Sequence, residues 1–237
     1  MTEPFLAYIR TLYFIGPEVE KRYYRLFGDL EYDLLSLRVE CAVMDLRVRE
    51  VKRRATAAVP IDSNAERRIS ETSQELNEHL YARLERLQKR SAAAKSFRYD
   101  HESEVHGYYL IRDIATAILG LRRPEARSRH LETLDDACQA YRQLDIAELI
   151  DLHESVQHLL AQERRSVLSR KEAGEWRRRL GALHRRHPLC RSMILDTPEQ
   201  ITAHAERLKR SIARWQARLE QRGVVYAAAI RSLRFRN

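Results

Sequence analysis

Between residues 23 and 51 apolar side chains return at alternating steps of four and three: Tyr23, Phe27, Leu30, Leu34, Leu37, Cys41, Met44, Val48 and Val51. That alternation keeps one edge of a helix turned towards a partner, as knobs-into-holes packing requires. A second row at Leu35, Val39, Ala42 and Leu46 widens the face, which predicts more than one partner helix. The same grammar returns at Ile69, Leu76, Leu80, Leu84 and Leu87, and again at Ile201, Ala205, Leu208, Ile212, Trp215 and Leu219. The pattern predicts an all-α protein of long helices.

Punctuation between the patterned stretches sets the expected elements. Thr2 and Pro4 open a short first helix that Gly16-Pro17 is expected to end, and Pro17 suits the first turn of a long helix reaching about residue 58. A turn over 59–64 then leads into a third helix over about 65–95. Two long amphipathic helices joined by a short turn are expected to lie antiparallel. From 96 to 145 the elements shorten: helices are predicted over 104–120 and 125–143, broken at Leu121-Arg122-Arg123-Pro124. Asp145 is placed to cap a helix that His187-Pro188 stops. Thr197-Pro198-Glu199-Gln200 has the form of a capping box, and Gly223 is expected to end the helix it starts. These elements divide the chain into 1–95, a helix with a long hairpin, 96–145, a short helical module, and 146–237, a second hairpin pairing 146–187 with 198–222, then a short last helix.

Composition narrows the class. Of 237 residues, 32% are charged and only seven are Gly and six Pro, which fits ordered helices. Cys41, Cys138 and Cys190 are odd in number and form no C-x-x-C pair, as expected of reduced thiols in a cytoplasmic protein. The longest apolar run, residues 224–230, is far short of the ~20 residues a membrane span needs, so no membrane partner is expected. The net charge of +9 is unevenly spread. Residues 1–163 hold 24 Lys/Arg against 28 Asp/Glu, while 164–237 hold 19 against 6. The basic character belongs to the last third.

Catalytic patterns are missing. No phosphate-binding glycine loop and no G-x-S-x-G turn occurs, and no histidine follows a glutamate by three. His153 and His158 are five apart, about 140° around a helix, whereas a zinc pair needs four. No enzyme, metal or cofactor is expected. The positive signal is basic: Arg207, Arg210, Arg214 and Arg218 recur at three- and four-residue spacing off the apolar seam, and Arg178 and Arg185 load the arm expected to oppose them. Such a ladder can follow a phosphate backbone, although arginines also line any solvated helix and pair with acidic neighbours.

Tyr108-Tyr109-Leu110-Ile111-Arg112-Asp113-Ile114, and Ala137-Cys138-Gln139-Ala140-Tyr141 followed by Leu144-Asp145, resemble the two principal helices of a J-domain. The order of parts resembles bacterial proteins that embed a J-domain-like module between coiled-coil arms. In that family a His-Pro-Asp turn engages the heat-shock ATPase, and here the corresponding turn reads Leu121-Arg122-Arg123-Pro124. The resemblance implies a degenerate module without ATPase stimulation, its turn marked by Arg122, Arg123 and Pro124. The expected function is a non-catalytic scaffold or adaptor that binds another protein or itself through coiled-coil faces. The alternative is nucleic-acid binding through the basic final hairpin.

Overall fold

The computed structural model describes residues 2–57, 63–161 and 169–234. Among them the chain is helical throughout and no strand forms. The order is α1 (Glu3–Arg10), a π-helical turn (Thr11–Ile15), α2 (Gly16–Thr56), α3 (Ser63–Leu76), α4 (Glu78–Ser96), α5 (His101–Leu119), α6 (Pro124–Ser128) and α7 (Leu131–Gln143). Then come α8 (Ile146–Val156), a 3-10 turn (Gln157–Ala161), α9 (Arg170–His184), a second 3-10 turn (Leu189–Leu195) and α10 (Pro198–Arg234). The chain divides into two units, residues 1–21 with 96–192 and residues 22–95 with 193–237. Position 145 falls inside the first unit, where helices on both sides of it bury side chains in one core.

That core gathers α1, α5, α7 and α8. Ile111, Ile114 and Ile118 of α5, Ala137 and Tyr141 of α7 and Leu149 of α8 have no measurable exposure, and Phe5, Leu6 and Ile9 of α1 join them. α5 starts where Asp100 accepts from the Ser103 amide at 2.8 Å. Within it Gly107 allows a close approach: a Cβ there would stand 3.1 Å from Tyr141 and 3.3 Å from Leu149. α7 ends on Leu144 at φ 56°, a left-handed position usually given to glycine, with the Asp145 amide donating to the Ala140 carbonyl at 2.9 Å. The Leu144 side chain packs against the core, which offsets the backbone strain. Asp145 then caps α8 by accepting from the Glu148 amide. α9 starts at a capping box of Ser169 and Glu172 and lays Trp176 against Phe5 at 5.0 Å and Tyr8 at 5.4 Å.

A charge lies inside this unit. The Glu104 carboxylate is 1% exposed and accepts from Arg10 Nε at 2.9 Å, Arg10 Nη2 at 3.2 Å and the Tyr141 hydroxyl at 2.9 Å. The hydrogen bonds Arg10 donates to Glu104, and the carboxylate's charge, raise the Arg10 pKa, while burial first, and then the Glu104 charge, push that of the Tyr141 phenol up.

In the second unit α2 is the central rod, with Tyr23, Tyr24, Phe27, Val39, Cys41 and Val51 almost fully buried. α3 and α4 meet it through Arg47 Nη2 donating to Ser70 Oγ at 2.7 Å, Val51 beside Ile69, and Lys95 Nζ donating to Asp29 at 3.0 Å. α10 meets α2 in rising order: Tyr23 Oη lies 3.2 Å from His204 Nε2, Cys41 Sγ donates to the Trp215 carbonyl at 3.5 Å, and Tyr226 packs by Val51. α10 therefore runs parallel to α2. Where the sequence reading pairs 198–222 with 146–187, the contacts described for α10 are with α2 and, through Ile69, α3, and α9 packs on α1 in the first unit. The heptad seam of α10 states that a partner exists without stating which helix supplies it.

Several boundaries differ from expectation. The helix expected from Asp145 to His187-Pro188 is instead α8, which ends at Val156, and α9, which starts after its Ser169 cap, and the one expected over 125–143 breaks between Ser128 and Leu131. Gly16-Pro17 does not end the first helix; a π turn carries it through, with the Gly16 amide donating to the Thr11 carbonyl five residues back. Pro17 has no N–H to give and its ring crowds the carbonyl four residues back, so a widened turn suits it. Gly16 is needed there, since a Cβ would stand 2.6 Å from the Thr11 oxygen. The expected helix over 65–95 is interrupted at Asn77, where the Ser73 hydroxyl donates to the Ile69 carbonyl and Asn77 Nδ2 to the Ser73 carbonyl. Side chains there compete for backbone acceptors. Gly223 does not end α10, because Tyr226, Ala229 and Ile230 pack on Val51 and Ile69 and hold the helix to Arg234. The expected turn over 59–64 lies largely outside the described residues.

Replacing Glu104 by Ala is expected to lower stability by roughly 1–3 kcal/mol, since the Tyr141 hydroxyl loses its acceptor while Arg10, 38% exposed, can turn to water. Tyr141→Phe should cost about 1–2 kcal/mol, because Arg10 still holds the carboxylate. Urea unfolding followed by circular dichroism measures both, and a loss below ~1 kcal/mol for Glu104→Ala would show the network to be incidental.

Candidate anion-binding surface and module turn

The residues singled out in the sequence are held by three elements. α10 begins at the expected capping box: the Gln200 amide donates to Thr197 Oγ1 at 3.3 Å and the Thr197 amide to Gln200 Oε1 at 3.2 Å. With His204 and Leu208 turned inward, a helical step of about 100° per residue sets Arg207, Arg210, Arg214 and Arg218 along one flank. All four are exposed. Arg218 Nη2 donates to Asp45 at 3.0 Å, and Arg222 Nε approaches the other oxygen of the same carboxylate at 2.7 Å. Arg214 donates to Ser211 Oγ at 3.2 Å, while Arg207 and Arg210 have no acidic partner among the described residues. The ladder is thus neutralised at one end and open at the other. Exposed pairs of this kind contribute less than about 1 kcal/mol each, so Asp45 positions Arg218 more than it stabilises the fold.

An aromatic ring accompanies the ladder. The Arg218 guanidinium lies 5.0 Å from the Trp215 ring centre and that of Arg38 5.7 Å. Sequence reasoning missed this. It counted Trp215 as seam and left Arg38 aside, although the step of three between Trp215 and Arg218 was the available signal.

Arg178 lies on α9 and Arg185 just past its end, both in the first unit and both exposed. They belong to a different unit from the α10 ladder. Their neighbour Arg179 donates to Glu175 at 2.6 Å and lies 4.5 Å over Trp176. At the turn between α5 and α7, Arg122 and Arg123 are exposed, and Pro124 opens α6 at its first position. The turn is fastened by Arg127, which donates to the Leu121 carbonyl at 3.2 Å and pairs with Glu172 of α9. Leu121 itself is buried.

Groups that could do covalent or metal chemistry are dispersed. Among the described residues no three His, Cys, Asp or Glu side chains stand together as metal ligands. His153 lies 4.0 Å from Asp113, and the His158 ring is stacked edge-on 6.4 Å from His130. The thiols differ in environment: Cys41 is buried, Cys138 half-buried and Cys190 exposed. Burial pushes the Cys138 thiol up to about 12, with Asp135 adding to the effect, and burial also raises Cys41. No helix among the described residues is long and apolar enough to cross a membrane.

Because the thiolate is the reactive form, a disulfide reagent at pH 8 should modify Cys190 quickly and leave Cys138 and Cys41 slow until the chain is unfolded. Labelling followed by mass spectrometry reads the order, and equal rates would contradict it. Compared with family models, with curated proteins and with solved structures, the chain matches none.

Proposed function

We propose that this protein is a non-catalytic scaffold or adaptor that binds another protein, or a second copy of itself, along its long helices. The observation that carries the reading is the apolar surface left on those helices. In the second unit Leu26, Tyr81 and Val224 are exposed, Val224 to 67%. Isolated exposed apolar residues are ordinary, but here they stand on helices of 41, 19 and 37 residues, whose faces can receive a further helix. The expected first hairpin belongs to the same proposal. Gly28 lies near Ser91 and Lys95, Asp29 near Lys95, Arg47 near Ser70 and Val51 near Ile69, an order of contacts that supports α3 and α4 running antiparallel to α2.

The degenerate J-domain reading is carried by α5 and α7. Ala137, Ala140 and Tyr141 face the core, and the turn before them presents Arg122 and Arg123 to solvent. Without the His-Pro-Asp turn, such a module would serve as a rigid spacer or contact surface in the cytoplasm rather than as a stimulator of an ATPase.

A second reading, nucleic-acid binding, is favoured by one observation: Arg207, Arg210 and Arg214 have no acidic partner among the described residues, on the same helix whose Trp215 ring lies 5.0 Å from the Arg218 guanidinium. A guanidinium row with an aromatic neighbour is the composition of a single-strand binding surface.

Three outcomes are expected. Size-exclusion chromatography with light scattering, or a pull-down from the native cytosol, should show an association that Leu26→Asp with Val224→Asp disrupts while helicity is kept. Stimulation of a heat-shock ATPase should be absent; stimulation lost on Arg122→Ala and Arg123→Ala would make the module an active co-chaperone. Labelled single- and double-stranded nucleic acid should bind weakly at moderate salt. Tight binding that falls steeply with salt and is lost in Arg207→Ala/Arg210→Ala/Arg214→Ala would transfer the function to the second reading.

A further inference from the structure

A cleft of about 410 Å³ opens between α2 and α3, apart from the α10 ladder. Four arginines line it: Arg49, Arg53 and Arg54 from the last turns of α2, and Arg68 from α3. One carboxylate, Glu50, is among the lining residues. It accepts from Arg53 Nε at 2.8 Å, Arg53 Nη2 at 2.7 Å and Arg54 Nε at 3.2 Å, and the hydrogen bonds from Arg53 chiefly, with those from Arg54, hold its pKa below the usual carboxylate range. Glu50 can neutralise one guanidinium. Three positive charges remain over the cleft, and Arg49 and Arg68 have no acidic partner among the described residues.

The helix periods produce this gathering. Arg49 and Arg53 are four apart on α2, as are Glu50 and Arg54, so the two pairs project to one side of the helix end. On α3, Arg68 and Thr72 are also four apart and face them across the cleft. Beneath lies Ile69, 3% exposed and packed on Val51, which fixes the separation of the two walls. A further guanidinium on the same helix pair, Arg47, donates to Ser70 Oγ at 2.7 Å and leaves its buried Nε without a partner. The walls concentrate cations that repel one another.

We propose that this cleft binds a small, multiply phosphorylated anion, held by the Arg49 and Arg68 guanidinium groups with Thr72 as a neutral donor. The chemistry selects that class. A guanidinium presents paired N–H donors that match two phosphate oxygens, and Thr72 adds one hydroxyl. Three excess positive charges call for more negative charge than a single carboxylate carries, which favours two or more phosphate groups. Low-dielectric walls focus the field of the arginines into the opening, and the volume suits a molecule of a few phosphate units. Glu50 competes with the ligand for Arg53 and Arg54, so it sets an upper limit on affinity.

The test uses the full chain and inorganic tripolyphosphate in isothermal titration at constant ionic strength, with orthophosphate and sulfate as controls. One saturable site is expected, tighter for tripolyphosphate than for either control. Arg49→Ala/Arg68→Ala should weaken it at least about tenfold, the scale of one lost charge-assisted contact. Arg207→Ala/Arg210→Ala removes the same charge elsewhere and should change it less than about twofold. Glu50→Gln should tighten binding several-fold, a gain that damage to the fold cannot mimic. Vesicles bearing phosphomonoester headgroups form the second arm. Absence of saturable binding, equal weakening by the two arginine pairs, weaker binding by Glu50→Gln, or Arg49- and Arg68-dependent binding to vesicles without binding to tripolyphosphate would each overturn the proposal.

Discussion

A carboxylate removed from water must be met by charge and hydrogen bonds, and Glu104 imposes that requirement on the first unit. Its two oxygens receive the Arg10 fork and the Tyr141 hydroxyl, so α1, α5 and α7 have to meet in one register. Tyr141 in turn lies over Gly107 and edge-on to Phe14 at 4.9 Å, which ties the π turn to the same point. Apolar packing alone would tolerate small slips between these helices. A buried ion pair with directed hydrogen bonds does not, because a displaced partner leaves a charge without compensation.

The second unit rests on a different device. α2 carries apolar residues on two adjacent strips, and α3 with α4 and α10 take one each. Polar contacts at the margins set the register: Arg47 to Ser70 and Lys95 to Asp29 on one seam, Arg218 and Arg222 to Asp45 on the other. The use of Asp45 by two arginines explains why the α10 ladder is unevenly charged along its length. It also separates two basic surfaces, the open end of the ladder and the cleft between α2 and α3.

The all-helical class, the starts of α8 and α10 and the long rod α2 could be read from the chain directly. Heptad spacing, Asp145 as a cap and the Thr197-Gln200 box are local features, settled by residues within one or two turns of each other. The interruptions were less legible. Asn77 sits inside an unbroken apolar pattern, and only its side chain's competition for the Ser73 carbonyl reveals the break. Gly223 reads as a stop, but the packing of Tyr226 and Ile230 beyond it outweighs the ~1 kcal/mol that glycine costs in a helix.

Charge followed the same division. The sequence by itself determined that arginines recur at helical spacing on the last long helix and that four of them share a flank. It could not determine their electrostatic state, because the acid that neutralises Arg218 lies 173 residues earlier, on α2. Arg49, Arg53 and Arg54 read as the tail of a helix until α3 brings Arg68 across from them. Local periodicity decides which face a residue occupies. Which helix meets that face is decided by long-range packing, since every apolar seam in this chain accepts the same kind of partner and only the tertiary structure selects one.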